Sequence, residues 1–179
     1  MVTNVISTYQ LSHSTMGITA VNVEGKWYSE IIEENVEEEM IISQPPNKLI
    51  SQACKMYGEE IISRFDGAKL LCDFSNKAPI AISSAHNIYF FPTESPSRIN
   101  CSWFSHTHIR SITKADYNNS TLTFRDGKQR VVPFSYGIMH NQVNRTAQYR
   151  FILSEQLKHN QQKGVLQMIL KAMDLSKYD

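Results

Sequence analysis

The dipeptide Asp126-Gly127 separates two short alternating segments, residues 121–125 and 129–132, and Pro133 follows at once. Asp-Gly between alternating segments is the strongest short-range hairpin signal, because both residues accept the left-handed backbone of a tight turn. Pro133 has no N–H to donate to a ladder and ends the second strand. Ser135 is a suitable N-cap, and from there to about His159 the apolar residues Met139, Val143, Ala147 and Phe151 recur every four positions, with Ile152 and Leu157 on the flanks. That pattern predicts an amphipathic helix of about six turns. A second apolar stretch, Val165, Leu166, Ile169, Leu170 and Met173, follows Gly164. It is short and terminal, so it is expected to pack on the core or on a neighbouring subunit.

The first half reads as strands joined by turns. Residues 18–23 and 27–32 flank Glu24-Gly25-Lys26, a hairpin turn, and 36–42 forms a further strand that Gln44-Pro45-Pro46 stops. Asn47 is placed as the N-cap of a helix ending at Gly58, and a second short helix covers 59–65 up to Asp66-Gly67. Strands are then expected at 69–74, 80–83 and 88–91, and an extended segment at 100–113. The fold class is therefore α+β: an antiparallel, β-rich N-terminal half with short helices, then a β-hairpin region followed by a long amphipathic helix. One domain is expected over 1–179, subdivided near Pro92–Pro96 into an acidic half, 1–96, and a basic half, 97–179.

The division by charge is sharp. Residues 1–60 carry three bases and nine acids, whereas residues 101–179 carry eleven bases and five acids, so a total of only +1 conceals two opposite ends. A basic face is how binding to a polyanion begins. The run of glutamates from Glu33 to Glu39 is expected to form an exposed edge that resists sheet-to-sheet pairing and repels phosphate.

Several classes of function are disfavoured. Apolar runs reach only about four residues, too short to span a bilayer. The first seven residues have neither the basic nor the apolar region of a secretory signal. Cys54, Cys72 and Cys101 stand far apart, which fits reduced thiols in a cytoplasmic protein. No nucleophile elbow, phosphate loop or dinucleotide fingerprint occurs, so no enzyme and no cofactor is expected. His106 and His108 would share one face of a strand, yet no second cluster completes a zinc set, and no metal is assigned.

The bases of the second half fall into two groups. Arg110, Lys114, Arg125, Lys128 and Arg130 belong to the strand region, with Arg125, Lys128 and Arg130 gathered by the Asp-Gly hairpin. Arg145 and Arg150 belong to the helix, as does Lys158 outside the candidate set, and there Asn141, Arg145 and Gln148 project from one side at spacings of four and three. Arg, Asn and Gln reach base edges while clustered Lys and Arg neutralise phosphates, so these nine residues are the candidate DNA-binding set, with His106 and His108 as secondary contacts. The same arrangement also fits an ordinary polar helix face with Arg145 paired to a glutamate of the acidic half.

Several separated blocks resemble the competence transcription factor (ComK) family of Gram-positive bacteria. They are Ser51-Gln52-Ala53-Cys54-Lys55-Met56-Tyr57-Gly58, Asn76-Lys77-Ala78-Pro79-Ile80, Ile88-Tyr89-Phe90-Phe91-Pro92-Thr93 and Trp103-Phe104-Ser105-His106-Thr107-His108. Thr123-Phe124-Arg125-Asp126-Gly127-Lys128, Pro133-Phe134-Ser135-Tyr136 and Asn141-Gln142-Val143-Asn144-Arg145-Thr146-Ala147 continue the series, and the likeness covers roughly residues 20–155. The resemblance implies a transcriptional activator of DNA-uptake genes that binds paired A/T-rich boxes of double-stranded DNA, largely through the minor groove. It implies homodimers that assemble into tetramers on DNA, RNA polymerase as a partner, and control by a Clp protease adaptor. The segment from Lys163 onward does not follow the family's C-terminal extension, which takes part in that control. Arginine in the narrow minor groove of an A-tract needs no base-specific code. About four phosphates per protomer would give a dimer a log–log salt slope of about −7. Two alternatives are a non-activating paralogue that acts by hetero-dimerisation and, from element order alone, a LytTR-like major-groove binder.

Overall fold

Glu24 and Gly25 both take positive φ, 51° and 81°, and close the tight turn between β2 (Thr15–Val23) and β3 (Lys26–Glu33). In the computed structural model, which describes residues 5–175, this hairpin is the centre of a seven-stranded sheet. Residues 1–4, part of the leading segment read for a targeting signal, and residues 176–179 lie outside the described residues. The strand order is β1-β4-β3-β2-β7-β6-β5, with β1 (Val5–Ile6), β4 (Met40–Ile42), β5 (Ile80–Ser83), β6 (Ile88–Pro92) and β7 (Trp103–Ser105). Only the β1–β4 pair is parallel. β8 (Ile109–Lys114), β9 (Ser120–Phe124) and β10 (Gln129–Val132) form a second, antiparallel sheet. Gly127, at φ 94°, turns β9 into β10 at the expected hairpin.

Neighbouring residues of the large sheet divide between two cores, as period-two alternation requires. Ile31, Phe90 and Trp103 face α1 (Pro46–Met56) and join Leu49, Ile50 and Cys54. Ile32, Phe91 and Phe104 face the other way and meet Leu122, Phe124 and Val132 of the small sheet and Met139 of α3 (Tyr136–Leu175). The large sheet is thus covered by α1 and α2 (Ile61–Cys72) on one face and by the small sheet with α3 on the other. Close approach of β2 to β7 requires Gly17, where a Cβ would sit 2.8 Å from Cδ1 of Phe104.

The α+β class, with a β-rich N-terminal half and a long C-terminal helix, agrees with the sequence, and several local assignments do not. The expected strand 36–42 is reduced to β4, because the carbonyls of Glu33 and Val36 turn to receive Nζ of Lys128. Asn47 is not the cap of α1: Pro45 holds that position and Pro46 is N1, where a missing N–H costs nothing. The Asn47 side chain instead accepts from Nε1 of Trp103 at 2.7 Å and donates to the carbonyls of Pro96 and Arg98. The helix expected at 59–65 and the strand at 69–74 are one helix, α2, which runs through Asp66-Gly67 and stops at left-handed Asp73. Ala68 and the neighbouring Phe65 and Leu71 pack against Phe74, Tyr89 and Tyr149, and this tertiary contact outweighs the local turn signal.

The segment 100–113 is not continuously extended, because His106–His108 form a 3₁₀ turn between the two sheets. Gly164 interrupts nothing, and α3 runs through it. The buried line of α3 is also rotated from the expected one. Met139, Gln142, Thr146 and Tyr149 are inside, while Ala147 is exposed and Phe151 is 67% exposed. Val165, Leu166, Ile169, Leu170 and Met173 lie in solvent rather than on the core of this protomer. No helix of the described residues is long and apolar enough to cross a membrane.

Candidate nucleic-acid interface

The nine candidate residues separate into those the fold uses and those it leaves to solvent. Arg130 and Lys128 share the inward parity of β10 with Val132, and at the hairpin end they turn back onto the acidic segment. Arg130 Nη2 lies 2.6 Å from Glu30 Oε2 and 2.5 Å from Glu39 Oε1. Lys128 donates to the two carbonyls named above and lies 3.6 Å from Asp126. Asp126 in turn accepts the backbone N–H of Asn35. The acidic and basic halves are therefore bound to one another at this point, through Arg130 rather than through the Arg145–glutamate pair of the alternative reading.

The two helix arginines are also engaged. Arg145 donates to the carbonyl of Asn76 and to Oε1 of Gln142, and its guanidinium lies 4.4 Å from the centre of the Phe74 ring. Gln142 is buried and donates to the carbonyls of Lys77 and Pro92, so Arg145 completes a polar joint between α3 and the strand edges. Arg150 donates to Nδ1 of His106 at 2.8 Å and to Asn87 at 2.6 Å, over the Tyr89 ring. Burial, and then the adjacent Arg150, push His106 down to about 4, so the ring is neutral and accepts this bond at Nδ1. His108 is buried, bonds Ser105 Oγ at 2.8 Å through Nδ1, and is likewise held below its usual value by burial, against the opposing effect of Glu34. The two imidazoles thus serve different neighbours and do not share a sheet face. Among the described residues no group of three or more His, Cys, Asp or Glu could hold a metal ion. The thiols are free, and burial pushes Cys54 and Cys101 up to about 11, which leaves them unreactive.

Arg110, Lys114 and Arg125 are different. All three are exposed, and none lies within ion-pair distance of a carboxylate among the described residues. Arg110 is the extra residue of a β-bulge between Ile109 and Ser111, which turns it outward at one end of β8. Lys114 stands at the other end of that strand. Arg125 follows β9 and is steadied by its Nε donating to the carbonyl of Thr107 at 2.7 Å.

Between these cations lies the outer face of the small sheet. Its inner parity, Ile112, Leu122, Phe124 and Val132, belongs to the core. The other parity forms two cross-strand rows, Ser111–Thr123–Gln129 and Thr113–Thr121–Val131. The outer-strand members of these rows are exposed and the two threonines of β9 are half-buried. Hydroxyl and amide side chains in two rows that hold no carboxylate, with Val131 their one apolar member and arginine and lysine at the edges, can lie against a phosphate backbone and donate to groove edges. The cations are legible in the sequence as charges; this face is legible only in the alternation of Thr121 and Thr123 with Leu122 and Phe124. Asn141 and Gln148 are exposed on α3, as expected.

The model of the ComK protein family matches residues 6–158. The competence transcription factor of Bacillus subtilis (strain 168) is 28% identical over 154 residues, covering 86% of this chain and 79% of that protein. No solved structure matches the chain.

Proposed function

The chain belongs to the ComK family, and from that premise we propose that it is a sequence-specific, DNA-binding activator of competence genes. It binds paired A/T-rich boxes mainly through the minor groove, as a homodimer that assembles into a tetramer, and acts in the cytoplasm with RNA polymerase as its downstream partner. One observation carries the reading beyond family likeness: Arg110, Lys114 and Arg125 border a face whose cross-strand rows are mostly hydroxyl and hold no carboxylate, while Lys128, Arg130, Arg145 and Arg150 are bound within the fold. Asn141 and Gln148 on the exposed side of α3 are the polar contacts available from the helix.

Three such cations per protomer make six phosphate contacts in a dimer, and a log–log salt slope of about −5 on B-DNA. The slope of about −7 expected from sequence counted bases that the acidic segment occupies. A gel-shift titration against A/T-box duplexes with varied box spacing and a G·C-rich control tests binding, specificity and assembly together. Preference for the A/T duplex, sensitivity to a minor-groove competitor and a slope of about −5 support the reading. A slope shallower than about −2 refutes it.

A further inference from the structure

β8 and β9 are joined by a turn whose two central residues, Tyr117 and Asn118, both have positive φ, 55° and 62°. The N–H of Asn119 donates to the carbonyl of Asp116 at 3.2 Å, and that of Ala115 to the carbonyl of Asn119 at 3.0 Å. This is the primed hairpin turn, whose first central position suits Asn, Asp or Gly. A tyrosine there is an outlier, since Cβ and a bulky ring oppose left-handed backbone. The fold gains nothing visible in return, because Tyr117 is 96% exposed. A residue that is both costly for its turn and absent from the core is where stability has been exchanged for contact with something else.

The position of the turn says what that contact is. It projects from the end of the small sheet that carries Lys114, and it continues the edge of the hydroxyl face described above. We propose that Tyr117 is a wedge for double-stranded DNA, entering the minor groove of the bound duplex and unstacking one base step when the outer face of the small sheet lies against the backbone. Side-chain wedges between base steps are a minor-groove device, and a T-A step in an A/T-rich box unstacks more readily than others. The flanking Lys114 holds the phosphate beside the insertion point, and the Asn118 amide is placed to meet the acceptors of an A·T edge. This inference rests on the DNA-binding reading and adds to it the residue that deforms the duplex.

The test uses the intact protein and Tyr117→Asn, which relieves the turn. Thermal melting should show the variant at least as stable as the parent, while its affinity for an A/T-box duplex falls about tenfold or more. Tyr117→Phe, which keeps the ring, should bind like the parent. A duplex with 2-aminopurine replacing a box adenine should brighten on binding the parent protein and Tyr117→Phe, and stay quenched with Tyr117→Asn at saturating protein. Binding by Tyr117→Asn within about twofold of the parent, or equal brightening, overturns the wedge while leaving the DNA reading intact. A parent protein that shifts no A/T duplex overturns both.

Discussion

Arg145→Ala separates a structural role from a DNA contact. The guanidinium donates to the carbonyl of Asn76 and to Gln142, and covers the Phe74 ring at 4.4 Å. A hydrogen bond from a charged donor contributes about 1.5–3 kcal/mol, and a partly exposed cation–π pair about 0.5–1 kcal/mol. Arg145 is only half-buried, so water replaces part of the loss, and about 2–3 kcal/mol of destabilisation is expected. For a chain of this length that lowers the melting midpoint by about 5–10 °C. Arg145→Lys should recover little, since one ammonium cannot serve the Asn76 carbonyl, the Gln142 amide and the ring face together. A double-mutant cycle with Phe74→Leu should give a coupling of about 0.5–1 kcal/mol. Urea unfolding measures each of these, and a salt titration of DNA binding well below the midpoint should show the parent slope for Arg145→Ala. Stability unchanged within about 0.5 kcal/mol, combined with lost DNA binding, would refute this reasoning and place Arg145 in the groove.

Arg110→Ala and Arg130→Ala should differ in kind: the first lowers the magnitude of the DNA salt slope by about 1 per protomer, whereas the second leaves it unchanged and destabilises the fold by about 1–3 kcal/mol, because Glu30 and Glu39 lose their shared partner. An acid titration followed by thermal melting should expose His106. Its folded value of about 4 lies below the ordinary 6.5, so the unfolded chain binds the extra proton between them; the stability this ring contributes is complete above about pH 6.5 and is lost as the pH falls toward 4, amounting to about 2–3 kcal/mol. His106→Gln should flatten that dependence. Gly17→Ala should cost about 1–3 kcal/mol in urea unfolding, since its Cβ would meet the Phe104 ring at 2.8 Å in a packed core.

What could be read in the chain was what neighbouring residues decide among themselves. Glu24-Gly25 and Asp126-Gly127 announce hairpins because glycine accepts left-handed turn backbone with no Cβ to oppose it, and both turns are present, with Gly25 at φ 81° and Gly127 at φ 94°. Ser135 opens α3 as expected, its Oγ accepting the N–H of Ile138 at 3.4 Å. The family likeness was legible for a similar reason, as blocks of adjacent residues. The phase of α3 was not. Gln142 and Thr146 are polar by type and inside by contact, and what admits Gln142 is a pair of carbonyls, those of Lys77 and Pro92, 65 and 50 residues away. Asp66-Gly67 reads as a break, and Ala68 beside Phe74 and Tyr149 keeps the helix going.

The charges divide along the same line. That the last part of the chain is basic and the first acidic is a count that any reader of the sequence can make. Which bases remain available to DNA depends on contacts between segments: Glu30 and Glu39 claim Arg130 and the carbonyls of Glu33 and Val36 claim Lys128, all from about a hundred residues away, while pairing with β9 places the bulge that turns Arg110 outward. Composition and local pattern set the family, the class and the excess of positive charge. Only tertiary packing decided which cations are spent on the fold and which are left for a ligand, because a side chain's charge is local while its neutralisation is a contact between segments far apart in sequence.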